Sequence, residues 1–204
     1  MIVDGSLPLP RPLSQVLVEI ADNAGPRISL GEMAIALSDR SFAALTILFA
    51  APNLLPLPPG SSTLFGIPLL VVASQLLIGR SRVWLPGALS KRSLARETFG
   101  KIARAVAPYL QRFERLARPR YWPLSRTVAE RYVGLVILVM AIVLVVPIPF
   151  GNWTPSLAII LVSLGLTERD GLWLGLGTLV AAGSLGLVAG ILGSIGFAAN
   201  GILR

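Results

Sequence analysis

Two long apolar stretches dominate the chain, and each is interrupted by a corner of prolines and glycine. The first runs from Phe42 to Arg80 as FAALTILFAAPNLLPLPPGSSTLFGIPLLVVASQLLIGR. The second runs from Val133 to Gly171 as VGLVILVMAIVLVVPIPFGNWTPSLAIILVSLGLTERDG. At a constant offset of 91, Pro56 falls on Pro147, Pro58 on Pro149, Gly60 on Gly151 and Thr63 on Thr154. Further on, Trp84-Leu85 matches Trp173-Leu174 after a two-residue slip. A P-x-P-x-G corner between apolar arms, present twice, is a repeat signal. The corners read in two ways. Either they are tight turns of helical hairpins, or they are helix breaks that meet at membrane depth, as in transport folds built from repeats.

The arms are short. Those of the first stretch are about 14 and 17 residues, roughly 21 and 25 Å of helix; those of the second are about 15 and 13. A hydrocarbon core of about 30 Å normally takes some 20 residues. The pattern therefore predicts re-entrant hairpins, or steep crossings of a thinned bilayer, with the non-helical corners covered by protein or lining a wet cavity.

The flanks are different. Residues 1–11 are Pro-rich and do not read as a cleavable signal. Leu13, Val16, Leu17 and Ile20 give a short amphipathic helix ended by Asn23-Ala-Gly-Pro26, and Ser29 with Glu32 forms a capping box for a second helix through about Leu37. Phe99, Ile102, Val106, Leu110 and Phe113 mark an amphipathic basic helix that breaks near Pro108, suited to the headgroup layer. Glu114 is expected to pair with Arg118. Residues 172–200 form one long Gly-rich apolar run, with Gly171/Gly175 and Gly186/Gly190 at GxxxG spacing and Gly183, Gly193 and Gly196 adding small surfaces. This predicts a transmembrane helix, with a kink or break near Gly183, whose small face packs within the subunit or across a homodimer.

Charge sharpens the picture. Hydrophobic residues make up 54% of the 204 and charged ones 14%, where soluble domains carry roughly 25%. Of 18 Lys and Arg, 13 fall within residues 80–131, against Glu97, Glu114 and Glu130, so that this segment alone is +10 of a net +8. A basic segment between bilayer segments belongs on the cytoplasmic face, against anionic lipid headgroups. The residues expected to touch headgroups are Arg80, Arg82, Arg104, Arg112, Arg115, Arg118 and Arg120. No nucleic-acid motif accompanies the charge, so nucleic acid is not an expected partner. With neither Cys nor His, disulfides, thiol catalysis and His-based metal or acid–base chemistry are excluded, and no cofactor or metal is expected.

Candidate ligand-binding residues gather at the corners: Asn53, Pro56, Pro58, Gly60 and Thr63 in the first, Pro147, Pro149, Gly151, Asn152 and Thr154 in the second, with Gln75 nearby. Asn53, Ser61, Ser62, Thr63, Asn152 and Thr154 read either as caps of the following half-helices or as a polar cluster for a headgroup, ion or substrate; helix N-termini attract anions in either case. Gln75 is expected to make an interhelical hydrogen bond. Glu168-Arg169-Asp170 reads as a solvated turn rather than a catalytic carboxylate pair, because no nucleophile, His or metal-ligand spacing accompanies it.

Several short motifs, in order, resemble the ExoD family of bacterial exopolysaccharide synthesis proteins: Asn53-Leu-Leu-Pro-Leu-Pro-Pro-Gly60, Gln75-Leu-Leu-Ile-Gly-Arg80, Val83-Trp-Leu-Pro86, Glu114-Arg115 with Arg118-Pro-Arg120, Pro147-Ile-Pro-Phe-Gly-Asn152, and Gly165-Leu-Thr-Glu-Arg-Asp-Gly171. The likeness covers roughly residues 29–190 and implies a multi-pass protein of the bacterial inner membrane engaged in exopolysaccharide production. It implies no catalytic residue. The expectation is thus a single all-α membrane domain: an interfacial segment (1–41), a first broken-helix repeat (42–87), a basic amphipathic linker (88–131), a second repeat (132–175) and a Gly-rich transmembrane helix (172–200). It binds lipid, or a lipid-linked or anionic precursor, at the paired breaks without being an enzyme. The alternative is a small transporter or flippase. Expected partners are anionic membrane lipids, a second copy through the Gly-rich helix, and other exopolysaccharide-synthesis membrane proteins.

Overall fold

The helix Phe42–Ala50 has no exposed residue: all nine of its side chains are buried. An apolar surface on every side predicts such a central position, and the other elements are arranged around it. A computed structural model describes residues 12–37, 42–54, 61–80, 83–116, 119–122, 124–145 and 152–202, without the side chains of residues 61, 192 and 195–202. The prolines and glycines of both corners (Pro56, Pro58, Gly60, Pro147, Pro149, Gly151) lie outside the described residues, as do Arg82 and Arg118.

In chain order the elements are α1 (Leu13–Asn23), β1 (Arg27–Ser29), α2 (Leu30–Ala36), α3 (Phe42–Ala50) with a 3-10 turn (Ala51–Leu54), α4 (Ser61–Ile78), α5 (Gly87–Ser90), β2 (Ser93–Ala95), α6 (Arg96–Leu116), α7 (Arg126–Val145), α8 (Trp153–Glu168) and α9 (Gly171–Ile202). The protein is mostly helical. Among the described residues the strands form one antiparallel pair, with Ile28 opposite Leu94; three-residue strands leave no alternation to read in a sequence.

α3 packs on α4 and on α8, α4 on α7, α7 on α8, and α9 along α8. The second arm of each broken stretch therefore lies against the first arm of the other. α1 packs on α6, and one hydrophobic cluster runs from Leu17 and Leu110 in this pair to Leu45, Leu69, Ile137 and Ile160 in the central helices. α1 thus lies on the protein. Its N-terminal Ser14 gives both its N–H and its hydroxyl to the Glu114 carboxylate, at 3.1 and 2.7 Å. The expected partner of Glu114, Arg118, lies outside the described residues.

Several other expectations are corrected. α6 runs unbroken through Pro108. Pro108 is exposed, so the carbonyl it leaves without a partner is on the solvent side. α9 likewise runs unbroken through Gly183. α7 begins at Arg126, earlier than the apolar run suggests, and its 20 residues are long and apolar enough to cross a membrane, as is Gly171–Ile191 within α9. α3, α4 and α8 are the shorter apolar helices. The capping box of α2 is present, with Ser29 Oγ accepting from the Glu32 N–H and the Glu32 carboxylate accepting from the Ser29 N–H; the Ser29 N–H and then the Ser29 hydroxyl, both given to the carboxylate, hold the Glu32 carboxyl below the usual range.

The helices are close because of glycines other than those of the GxxxG pairs. A Cβ on Gly134 of α7 would stand 2.6 Å from the Leu77 nitrogen of α4; on Gly165 of α8, 2.6 Å from the Leu174 nitrogen; on Gly177 of α9, 2.7 Å from the Val162 nitrogen. Gly175, Gly183, Gly186, Gly190 and Gly193 meet nothing within 4 Å. Gly134→Ala should therefore force α7 off α4 and cost roughly 1–3 kcal/mol as overpacking. Gly175→Ala should be neutral or stabilising by up to about 1 kcal/mol through helix propensity. Thermal unfolding of the detergent-solubilised protein reads the contrast; equal effects would contradict the packing.

Candidate functional site

At one end of the central helices the two broken stretches meet. Asn152 Nδ2 donates to Ser62 Oγ at 2.7 Å, joining the start of α8 to the first turn of α4. Thr154 Oγ1 donates to Ser184 Oγ of α9 at 3.1 Å. The capping expectation fails for both residues. Asn152 stands at the N-cap position of α8 with helical backbone angles and makes no side-chain cap bond, because its amide is turned to the other stretch. Asn53 works on the helix before it: Nδ2 donates to Phe49 O at 3.1 Å and Ala50 O at 3.4 Å, satisfying carbonyls left open as α3 tightens into its 3-10 turn. Ala51, Pro52 and Asn53 of that turn are buried. Thr63 is half-buried in the first turn of α4. Among the described residues, two polar atoms at this end are buried without a partner: Asn152 Oδ1, and Ser156 Oγ one turn into α8. Ser156 is 0% exposed.

Gln75 is not interhelical. Its Nε2 donates to Trp84 O at 2.7 Å, and its Oε1 accepts from the Trp84 N–H at 2.8 Å. The side chain thus mimics a strand partner and folds the segment after α4 back onto the helix. Inside the core, Thr46 Oγ1 and Ser163 Oγ share a hydrogen at 2.8 Å between α3 and α8, and Tyr132 Oη and Thr178 Oγ1 at 2.8 Å between α7 and α9.

The opposite end carries the charge. Asp170 is 0% exposed, which overturns the solvated turn. Its carboxylate accepts from Arg120 Nε at 3.0 and 3.3 Å and, through Oδ1, from the Leu172 N–H at 2.9 Å. It is both the N-cap of α9 and the anchor of the strand-like Arg120 segment, whose carbonyl accepts from the Gly171 N–H at 2.8 Å. Gly171 is obligatory there, since a Cβ would run into the Tyr121 carbonyl. Glu168, half-buried, has its carboxyl pushed up by burial and then by the Glu114 charge.

The headgroup residues divide. Arg120 is committed to Asp170. Arg104 reaches Asp22 of α1 at 3.4 Å with both side chains exposed, a pair worth little. Arg112 and Arg115 are exposed on α6. Arg80 lines a cavity of about 660 Å³ with two arginines the charge pattern did not single out, Arg126 and Arg169, and with Glu130 and Trp122. One sign of Arg169 was available: α4 and α8 end alike. Gly79 and Arg169 both have left-handed backbones, φ 84° and 51°, and the following N–H returns to the carbonyl five residues back, Arg80 to Gln75 at 3.0 Å and Asp170 to Gly165 at 2.9 Å.

These features describe a mostly helical protein with two helices fit to cross a membrane and polar bonds concentrated where its helices meet. The sequence profile of the family described as "Exopolysaccharide synthesis, ExoD" matches residues 13–190. Protein ExoD of Rhizobium meliloti is 34% identical over 201 residues, 93% of this chain and 81% of that one. An uncharacterised protein of Synechocystis is 33% identical over 170 residues, 81% of this chain and 80% of the other. The chain belongs to the ExoD family, and its involvement is in exopolysaccharide synthesis. No solved structure matches it.

Asp170→Ala removes a cap and leaves the Arg120 guanidinium without its buried partner. A loss of roughly 2–4 kcal/mol is expected, read as a lowered unfolding temperature; Arg112→Ala, exposed on α6, should change it little.

Proposed function

We propose that this protein is a non-enzymatic multi-pass component of the bacterial inner membrane that binds an anionic lipid, or a lipid-linked precursor of exopolysaccharide, where its two broken stretches meet. The single observation that carries this reading is the Asn152–Ser62 bond, 2.7 Å long, with Asn152 Oδ1 and Ser156 Oγ buried and unpaired beside it. The bond places the starts of α4 and α8 side by side, and helix N-termini favour negative charge. Unpaired polar atoms at apolar depth favour a ligand that supplies hydroxyl or phosphate partners. The two stretches act as related repeats that turn within the apolar zone. The Thr154–Ser184 bond supports this: counted along α9, Ser184 is about 20 Å from Gly171, and about 27 Å of helix follows it. Exposed apolar side chains on α4, α7 and α9, among them Ile67, Ile142 and Leu179, suit contact with lipid tails.

The alternative, a transporter or flippase, draws on one observation: each second arm packs on the other stretch's first arm, the reciprocal order that rocking about a repeat axis would use.

Reconstituted protein should bind a polyprenyl diphosphate, and both Ser62→Ala/Asn152→Ala and Pro147→Ala/Pro149→Ala should weaken that binding at least fivefold. Binding unchanged in both variants would count against the site. Flux of the same probe across proteoliposomes, lost in these variants, would favour the transporter; absence of flux would remove it.

A further inference from the structure

The cavity at the charged end is built from both stretches and belongs to neither corner. Arg80 enters it from the turn after α4, Arg126 and Glu130 from the first turns of α7, and Arg169 from the turn after α8, while Trp122 and Phe42 supply apolar wall. Its volume of about 660 Å³ falls within the usual range of small-ligand sites, about 300–1,000 Å³. Three guanidinium groups stand against one carboxylate. Arg126 Nε is engaged with Glu130 at 2.8 Å, and among the described residues no carboxylate pairs with the side chain of Arg80 or Arg169. The cavity therefore holds a surplus of positive charge beside aromatic and aliphatic surface.

Arg169 adds a second, independent observation. It occupies the left-handed position that α4 fills with Gly79, where a side chain other than glycine costs roughly 1–2 kcal/mol. Glycine would close the helix equally well, so the closure does not explain the arginine. Strained backbone of this kind clusters where a side chain is held for a ligand.

We propose that this cavity binds a phosphate ester, a phosphomonoester or diphosphate, with Arg80 and Arg169 as the recognising groups, Arg126 released from Glu130 to join them, and Trp122 and Phe42 meeting the first carbons of the esterified chain. Guanidinium groups match phosphate oxygens in pairs, which a diffuse lysine-rich surface does not. The site stands at the end opposite Ser62 and Asn152. It shares with the reading above a phosphate-bearing ligand but none of its residues.

The test uses the full-length protein in phosphatidylcholine nanodiscs and two probes, phosphatidic acid added to the discs and inorganic diphosphate in solution, with bound probe counted by native mass spectrometry. Arg80→Gln/Arg169→Gln should weaken binding at least tenfold. Lys91→Gln/Arg92→Gln, which removes the same charge from the exposed turn after α5, should change it less than twofold. Arg169→Gly relieves the backbone while removing the guanidinium; it should leave the unfolding temperature equal or higher and still weaken binding severalfold. Binding of phosphatidic acid alone identifies a lipid headgroup, and equal binding of diphosphate identifies a soluble phosphate; either supports the site. Equal losses in the two charge-matched double variants, retained affinity in the cavity variant, or no binding of either probe would overturn it. Ser62→Ala/Asn152→Ala in the same discs should keep the component of binding that Arg80→Gln/Arg169→Gln removes, which separates failure of this site from failure of the one at the breaks.

Discussion

The close approach of helix backbones at three glycines governs this architecture. Apolar burial between helices supplies little driving force when the surroundings are lipid tails, so packing distance and buried polar bonds must hold the helices together. Gly134 brings α7 onto the backbone of α4, Gly165 brings α8 onto the start of α9, and Gly177 brings α9 onto α8. Polar links join two further helix pairs: Thr46 with Ser163 between α3 and α8, and Tyr132 with Thr178 between α7 and α9. Wider spacing would break both links and leave Thr46 and Thr178 only their bonds to the Ala43 and Leu174 carbonyls.

From that packing the two ends acquire opposite chemistry. The end where the stretches meet carries Ser62, Asn152, Thr154 and Ser156, uncharged donors and acceptors beside two helix starts. The other end carries Arg80, Arg126, Glu130, Glu168, Arg169 and the Arg120–Asp170 pair. Asp170 links the levels of organisation most economically, since one buried carboxylate caps α9 and fixes the segment that leads from α6 into α7. The basic helix α6 is tied to the core through α1 and through the edge contact of Phe113 with Trp173, their ring centroids 5.2 Å apart. Its exposed arginines are thereby presented from a fixed platform.

Much of this was legible along the chain. Periodicity located α1, the capping box of α2, the basic helix and the long C-terminal helix, because each of these is set by local spacing. Composition located the charge. What local spacing could not disclose is pairing between distant segments. The amide of Asn152 reads as a cap until Ser62 is beside it, and Gln75 reads as an interhelical donor until the chain turns back at Trp84. Asp170 looks solvated among charged neighbours until Arg120, fifty residues earlier, is beside it. The GxxxG pairs drew notice through their spacing, whereas close packing depends on which glycines face a neighbour, and Gly134 and Gly177 stand in no such pair. Pro108 and Pro68 show the same limit, since α6 and α4 run on through them although proline reads as a helix breaker along the chain.

The chain contains no cysteine, so a single engineered disulfide measures the central packing without background. Thr46→Cys/Ser163→Cys places the two thiols where hydroxyls now share a hydrogen at 2.8 Å between α3 and α8. Oxidation in native membranes should form an intramolecular bridge in most molecules, blocking both thiols to a maleimide label and leaving the protein monomeric on a denaturing gel. Two free thiols, or bridges only between molecules, would contradict the interlocked arrangement of the two broken stretches.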